Sequence, residues 1–400
     1  MPQLQPSNNK SPHLPQLGPG LRNLEREQHA TWIELFFDLV FVVAIAELSH
    51  YLEEHLTVIG FLQFVLLFVP SWWAWVLFTF YSDRFDTDDS IHRLLMLTGM
   101  LTILFLGANV HNAFGEGSAG FTLAYVLARS VVLALYYRAS RHVPVARASV
   151  KLYLASYIPS TCLWLISIFV PEPLRYGLWV IAIAIELSIP IVGSRILAGT
   201  PSHPSHLPER FGLFTLIVLG EAIVSVATAT TNIDWRLPSI MAAVGGFAIA
   251  ACLWWLYFNF LENSVIIRDI RSVHIYNYGH LPILMGLTLV AVGIEHTISE
   301  ANHHALSVAT RWTLCGGLAL YVFAIIVVWV LGCHRRVKWL SVSMIAISLG
   351  LAIIGGSLPP LVLEGCLVAM LVSKVSLGIL RARKTAQLVA EDAEIIETQL

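Results

Sequence analysis

The run Trp75-Val76-Leu77-Phe78-Thr79-Phe80 returns 180 residues later as Trp255-Leu256-Tyr257-Phe258-Asn259-Phe260. Other pairs fall into step around it: Glu34 with Glu209, Glu47 with Glu221, Arg129 with Arg311, and Leu133-Ala134-Leu135-Tyr136 with Leu318-Ala319-Leu320-Tyr321. Pro173, Gly177, Glu186 and Ser188 align with Pro360, Gly365, Lys374 and Ser376, so the offset drifts only from 174 to 188, as short loop insertions would make it. The matching segments are apolar and carry single charges at matching depths. That is the pattern of an all-α transmembrane bundle built from two related units.

Composition names the solvent. Of 400 residues 56% are hydrophobic and 12% charged, with a mean hydropathy of +0.72. A soluble domain carries about 25% charged residues, and one soluble core cannot hide this much apolar surface, so the partner of the outer face is a lipid bilayer. A net charge of −2 and the lack of any nucleic-acid motif argue against a nucleic-acid partner. The cysteines are scattered without a CxxC pair and read as packing residues. Residues 1–28 are rich in Pro, Gln and Asn without an apolar core, so they read as a disordered tail and not a signal peptide. Metal, hydrolase and ATP motifs (HExxH, GxSxG, Walker A) are absent, so no cofactor is expected.

A span needs about 20 apolar residues. Such windows fall at 32–52, 57–80, 91–112, 118–138, 148–170 and 174–195, then at 209–230, 236–261, 272–298, 306–331, 338–357 and 358–380. The reading is therefore twelve spans, as two parallel six-helix repeats over residues 29–200 and 201–384, with an acidic tail at 385–400. Only Ser357 to Pro360 separates the last two windows. With the N-terminus inside, the cytoplasmic segments collect most of the Lys and Arg, while the outer loops keep Arg175 and Arg236. This is the positive-inside bias, and it places both termini in the cytoplasm.

Charged residues inside these windows are the candidate functional site. Glu34 and Thr31 have capping-box spacing, which gives Glu34 a structural role beside a functional one. Asp38 lies one turn further in on the same face, where a carboxylate needs a partner or water. Glu47 lies further along the same helix. In the seventh window Glu209 and Arg210 open the helix, and Glu221 follows about 18 Å deeper at 1.5 Å per residue, after a Gly220 that would admit a neighbouring backbone. Glu221 is the strongest single candidate, with Arg129 or a histidine of the ninth window as its expected partner. Glu186 and Arg129 also fall within spans, where a structural salt bridge is the alternative to a solute path. His280 beside Pro282 suits either a proton relay or a buried, hydrogen-bonded imidazole. The Trp72, Trp73 and Trp75 cluster reads as an interface belt or helix packing.

Glu34-Leu35-Phe36-Phe37-Asp38-Leu39-Val40-Phe41-Val42, Glu209-Arg210-Phe211-Gly212-Leu213-Phe214, Leu219-Gly220-Glu221 and His280-Leu281-Pro282 together resemble the bacterial low temperature requirement A proteins, over about residues 28–384. The resemblance implies an integral membrane protein with a growth requirement in the cold, and carries over Glu34, Asp38, Glu209, Arg210, Glu221 and His280. It implies no particular reaction. The arrangement of two six-helix repeats also resembles the major facilitator superfamily. At that superfamily's basic signature only Asp83-Arg84 fits, because acids stand where later basic residues belong.

Three functions compete. A secondary transporter or permease for a small solute or ion leads, on the repeat and the intramembrane charges. A membrane enzyme acting on lipid through Glu34, Asp38 and His280 is second, and a sensor or assembly factor without turnover is third. Charges converging on a central cavity would favour the first, a polar cluster open to lipid the second, and isolated bridging pairs the third.

Overall fold

The computed structural model describes residues 18–22, 24, 29–231, 236–261, 269–332 and 339–399. Helices occupy every apolar window: α1 (Trp32–Glu54), α2 (Val58–Arg84), α3 (Ser90–Ala108), α4 (Ser118–His142), α5 (Arg147–Ser167), α6 (Leu174–Val192), α7 (His206–Thr231), α8 (Leu237–Leu256), α9 (Ile270–Ser299), α10 (Val308–Gly332), α11 (Trp339–Ile354) and α12 (Pro360–Gln399). Ten of them are long and apolar enough to cross a membrane; α1 and α5 are outside that set. The last two windows are separate helices, divided by a 3-10 turn at Gly355–Ser357. Helix is the only regular structure that satisfies the backbone in lipid without a closed barrel. Leucine, isoleucine, valine and phenylalanine side chains stay exposed along most spans, for example Leu123, Leu127, Phe247, Phe323 and Ile353, as a lipid-facing surface requires.

Most of residues 1–28 lies outside the described residues, but the disordered-tail expectation fails for Gly18–Arg22. Gly20–Leu21 (β1) pairs antiparallel with Phe85–Asp86 (β2), just after α2, and this lays Arg22 against the bundle. Arg268, Arg335, Arg336, Lys338 and Cys333, used in the charge and cysteine readings, lie outside the described residues.

The core holds the aromatic cluster. Trp72, Trp73 and Trp75 are all buried, so the belt alternative gives way to packing. Cys252 and Cys315 are buried as expected of packing residues, but Cys162 and Cys366 are exposed. Glycines bring the backbones of α9 and α10 into close approach. A Cβ at Gly286 would stand 2.8 Å from the Tyr321 amide and 2.9 Å from the Gly317 carbonyl, and one at Gly293 would meet the Leu314 Cα at 2.6 Å. Small residues permit such contact, and in lipid close packing is a main source of helix association. Gly220 has no such function: a Cβ there meets no described atom within 4 Å.

Candidate functional site

The N-terminal ends of α1 and α7 meet the C-terminal end of α2 in a buried network of charges. On α1, Glu34 and Asp38 are one turn apart, and Arg210 of α7 bridges both. Its Nη2 donates to Asp38 Oδ1 at 2.6 Å, and its Nη1 lies 3.4 Å from Glu34 Oε1. The Trp75 indole donates to the same Asp38 oxygen at 2.8 Å, while its ring stacks on Phe214. Arg22 reaches Glu34 at 3.5 Å. His206 stands between two acids, with Nε2 3.4 Å from Glu34 Oε2 and Nδ1 3.2 Å from Asp83 Oδ1. The His203 amide also donates to Asp83, at 3.1 Å.

All these side chains are nine-tenths buried or more. An imidazole donates from both nitrogens only as the imidazolium. With His206 in that form, Glu34, Asp38 and Asp83 balance Arg22, His206 and Arg210. Balance matters here, because an unpaired charge in the interior costs several kcal/mol. Glu34 also meets its capping role, since the Thr31 amide donates to Oε2 at 2.6 Å. Asp38 Oδ2 and Arg210 Nε have no hydrogen-bond partner among the described residues.

A second buried cluster lies within α4, α5 and α6. Arg129 Nη1 donates to Glu186 Oε1 at 2.5 Å, Tyr125 OH to Oε2 at 2.7 Å and the Trp164 indole to Oε1 at 3.2 Å, while Ser160 hydrogen-bonds the same carboxylate. The Tyr157 ring lies 4.6 Å from the guanidinium carbon. Arg129 is therefore the partner of Glu186, so of the two partners expected for Glu221, Arg129 or a histidine of the ninth window, Arg129 is not one. The matching positions of the second half do not repeat the pair: Lys374 donates to Ser341 at 2.7 Å, and the Arg311 guanidinium packs over Gly356.

The remaining candidates are dispersed. Glu221 is buried, and its charged surroundings are His50 and Glu53 of α1, with Glu295 of α9 nearby. Glu47 is half-buried and pairs with His111 at 3.1 Å. Glu209 sits outside the network, 3.3 Å from His29. His280 has both nitrogens engaged, by Tyr257 OH at 2.8 Å and the Tyr276 carbonyl at 2.6 Å.

Arg22, His203 and His206 were not singled out by sequence reasoning, and Asp83 only as part of the Asp83-Arg84 signature match. Asp83 and His206 stand at helix ends, where a charge looks like ordinary solvated sequence; Arg22 and His203 lie in connecting segments. The acids after Arg84 find their explanation too. Asp89 caps α3 by accepting from the His92 amide at 2.8 Å and contacts Arg138, and Asp88 binds Arg93 through both oxygens, at 2.8 and 2.9 Å. The Arg93 hydrogen bonds hold the exposed Asp88 carboxyl below its usual range.

A sequence model described as Bacterial low temperature requirement A protein matches residues 29–375. The chain belongs to that family. Its name states a low-temperature requirement and no reaction. The chain is also 27% identical over 292 residues to an uncharacterized protein of Rhizobium meliloti (strain 1021), across 68% of this chain and 70% of the relative. Like its many apolar helices, family membership makes the chain a multi-pass membrane protein. Glu34, Asp38 and Arg210 of the buried network lie in two stretches that carried the family resemblance, Glu34 to Val42 and Glu209 to Phe214.

Proposed function

We propose that this family member is a secondary transporter-like permease for a small solute, with twelve spans in two parallel six-helix halves and both termini cytoplasmic. Parity supports the count. The first two turns of α1 and α7 touch through Glu34, Asp38 and Arg210, so both helices start at the same end of the bundle. An even number of crossings must separate them. With α1 as a span, α5 must be one as well, although both fall short by composition.

Packing supports the repeat. In the first half α1 packs on α2 and α3, α3 on α4, and α4 on α5; in the second α7 packs on α8 and α9, α9 on α10, and α10 on α11. Sixth helices differ, since α6 packs mainly on α5 whereas α12 packs mainly on α8.

The observation that carries the functional reading is the position of the charge network. It ties α1 and α2 of one half to α7 of the other at one end of their joint. At the opposite end of α1, a cleft of about 710 Å3 opens among Leu52, Phe61, Leu289, Trp312 and Leu320. Closed at one end and open at the other is the arrangement expected of alternating access between two halves. The ion pairs would be the contact that breaks when the closed end opens. A lipid enzyme has less support, because Glu34 and Asp38 are shut away from lipid and His280 is fully engaged elsewhere.

The test uses Ser202, buried next to His203 at the closed end. In a variant with the native cysteines replaced by serine, Ser202→Cys should react slowly with a membrane-impermeant thiol reagent applied to inside-out vesicles. Adding Asp38→Asn should speed the reaction several-fold. No reaction in either background, with both proteins monodisperse, would mean that the joint does not open.

A further inference from the structure

Close to the charge network, but separate from it, a cavity of about 20 Å3 lies where the ends of α2, α4, α5, α6 and α9 converge. That is room for about one or two waters. Its polar lining is Trp73, Arg84, Tyr136, Tyr153, Tyr157, His274 and Asn277.

Arg84 is 4% exposed. Its Nη1 donates to Tyr153 OH at 2.7 Å and reaches Tyr136 OH at 3.5 Å, and its Nε has no hydrogen-bond partner among the described residues. Among the described residues no carboxylate comes within ion-pair distance of this guanidinium. Asp83, its neighbour in the chain, turns instead to His203 and His206. The other buried arginines of this region, Arg22, Arg129 and Arg210, each have a glutamate or aspartate beside them. Arginine cannot shed its proton in a protein. Arg84 is thus a permanent buried cation that faces neutral groups, the Tyr153 and Tyr136 hydroxyls and the Phe80 and Tyr153 rings.

Four more buried polar atoms at this cavity lack hydrogen-bond partners among the described residues: Trp73 Nε1, Tyr157 OH, His274 Nε2 and Asn277 Oδ1. The Tyr157 hydroxyl and the Trp73 indole N–H point naturally at an acceptor, while the His274 ring already bonds the Pro190 carbonyl. Asn277 offers its oxygen as drawn, but an end-for-end turn of the amide presents the NH2 group in the same place. Buried orphan atoms around one small space call for an occupant that satisfies them together.

We propose that this cavity binds one small inorganic anion, of halide size, with Arg84 as its counter-charge. Water alone would satisfy the hydrogen bonds but leave the cation uncompensated. The volume admits no organic acid or phosphate ester. The site stands whether or not the protein moves a solute, because a bound halide neutralises Arg84 in a static bundle as well as in a moving one.

Purified full-length protein in detergent is titrated with sodium bromide against sodium gluconate at constant ionic strength, with melting followed by tryptophan fluorescence. Crystals grown in bromide are examined for an anomalous peak beside Arg84. Wild type should show a saturable rise in melting temperature with bromide and a peak at the site. Arg84→Met should lose both and melt above wild type in gluconate, where the cation has no partner. Tyr157→Phe, which keeps the charge and the ring, should weaken the bromide midpoint about tenfold, the effect of one hydrogen bond to an ion. A wild-type response that is not saturable, an equal response in Arg84→Met, or an Arg84→Met protein less stable than wild type in gluconate would each overturn the site. Should Arg84→Met fail to accumulate, an unchanged bromide midpoint in Tyr157→Phe overturns it alone.

Discussion

Asp38 and Arg210 meet at 2.6 Å although they stand 172 positions apart in the chain. Arg210 is also shared with Glu34, and Asp38 with Trp75, so the contact is the centre of a network and not an isolated bridge. Arg210→Met should therefore leave Glu34 and Asp38 facing each other in the interior. The expected loss of stability is about 3–5 kcal/mol, as for breaking any buried pair from one side. Asp38→Asn should cost less, because the amide still accepts from Arg210 and Trp75. Thermal melts in detergent decide it; equal melting temperatures for wild type and Arg210→Met would show the network to be energetically idle.

Arg129 and Glu186 predict a different signature. Glu186→Gln strands the Arg129 charge among Tyr125, Tyr157 and Trp164, and the protein should accumulate poorly. Adding Arg129→Met removes the stranded cation and should restore part of the yield. The same Arg129 change should give no rescue of a Glu221 variant, since those two residues are not partners. Membrane levels by immunoblot measure all three.

Glu221 sits near Glu53 and Glu295 with His50 as its nearby cation. Glu221→Gln relieves like-charge crowding, so it should accumulate and melt at least as well as wild type. If the residue lines the solute path, the same variant should fail to complement growth in the cold. Full complementation would remove Glu221 from the path and leave the Asp38 end as the place to look.

Gly286→Val should destabilise strongly, because the new Cβ would strike Tyr321 backbone at 2.8 Å and backbone cannot swing aside. Gly220→Ala should change the melting temperature little, since its Cβ enters open space. Comparable effects at both glycines would contradict the close packing of α9 on α10.

Topology gives the last expectation. Glu116→Cys and Asn302→Cys, both exposed in loops, should label from outside intact cells, and Arg141→Cys only after permeabilisation. Labelling of Arg141→Cys from outside would invert the proposed orientation.

The spans were legible because twenty apolar residues in a row admit little else. Glu34 and Asp38 were legible as a pair because helical spacing puts them on one face. Their partners were not, since depth in the membrane says nothing about which way a helix is turned. That is why Arg129, at the right depth for Glu221, proves to face Glu186. His280 was undecidable for a similar reason: its second partner, Tyr257, comes from a π-helical turn at Tyr257–Leu261 that no periodicity announces. The asymmetry of the halves was partly readable. Asp38 aligns with Leu213, so the repeat of Trp75 at Trp255 has no matching acid to bind.

The network also constrains how the protein is made. Glu34, Asp38 and Asp83 enter the membrane with the first helices, but Arg210 and His206 follow only with the seventh. At about 5–20 residues per second, synthesis of the intervening chain takes on the order of 10–30 s. During that interval the nascent first half holds three acids whose counter-charges, apart from Arg22, do not yet exist. The first six helices are consequently an unfinished body that the insertion machinery or bound water must shelter, and separate expression of that half should yield a species prone to degradation until the second half is supplied.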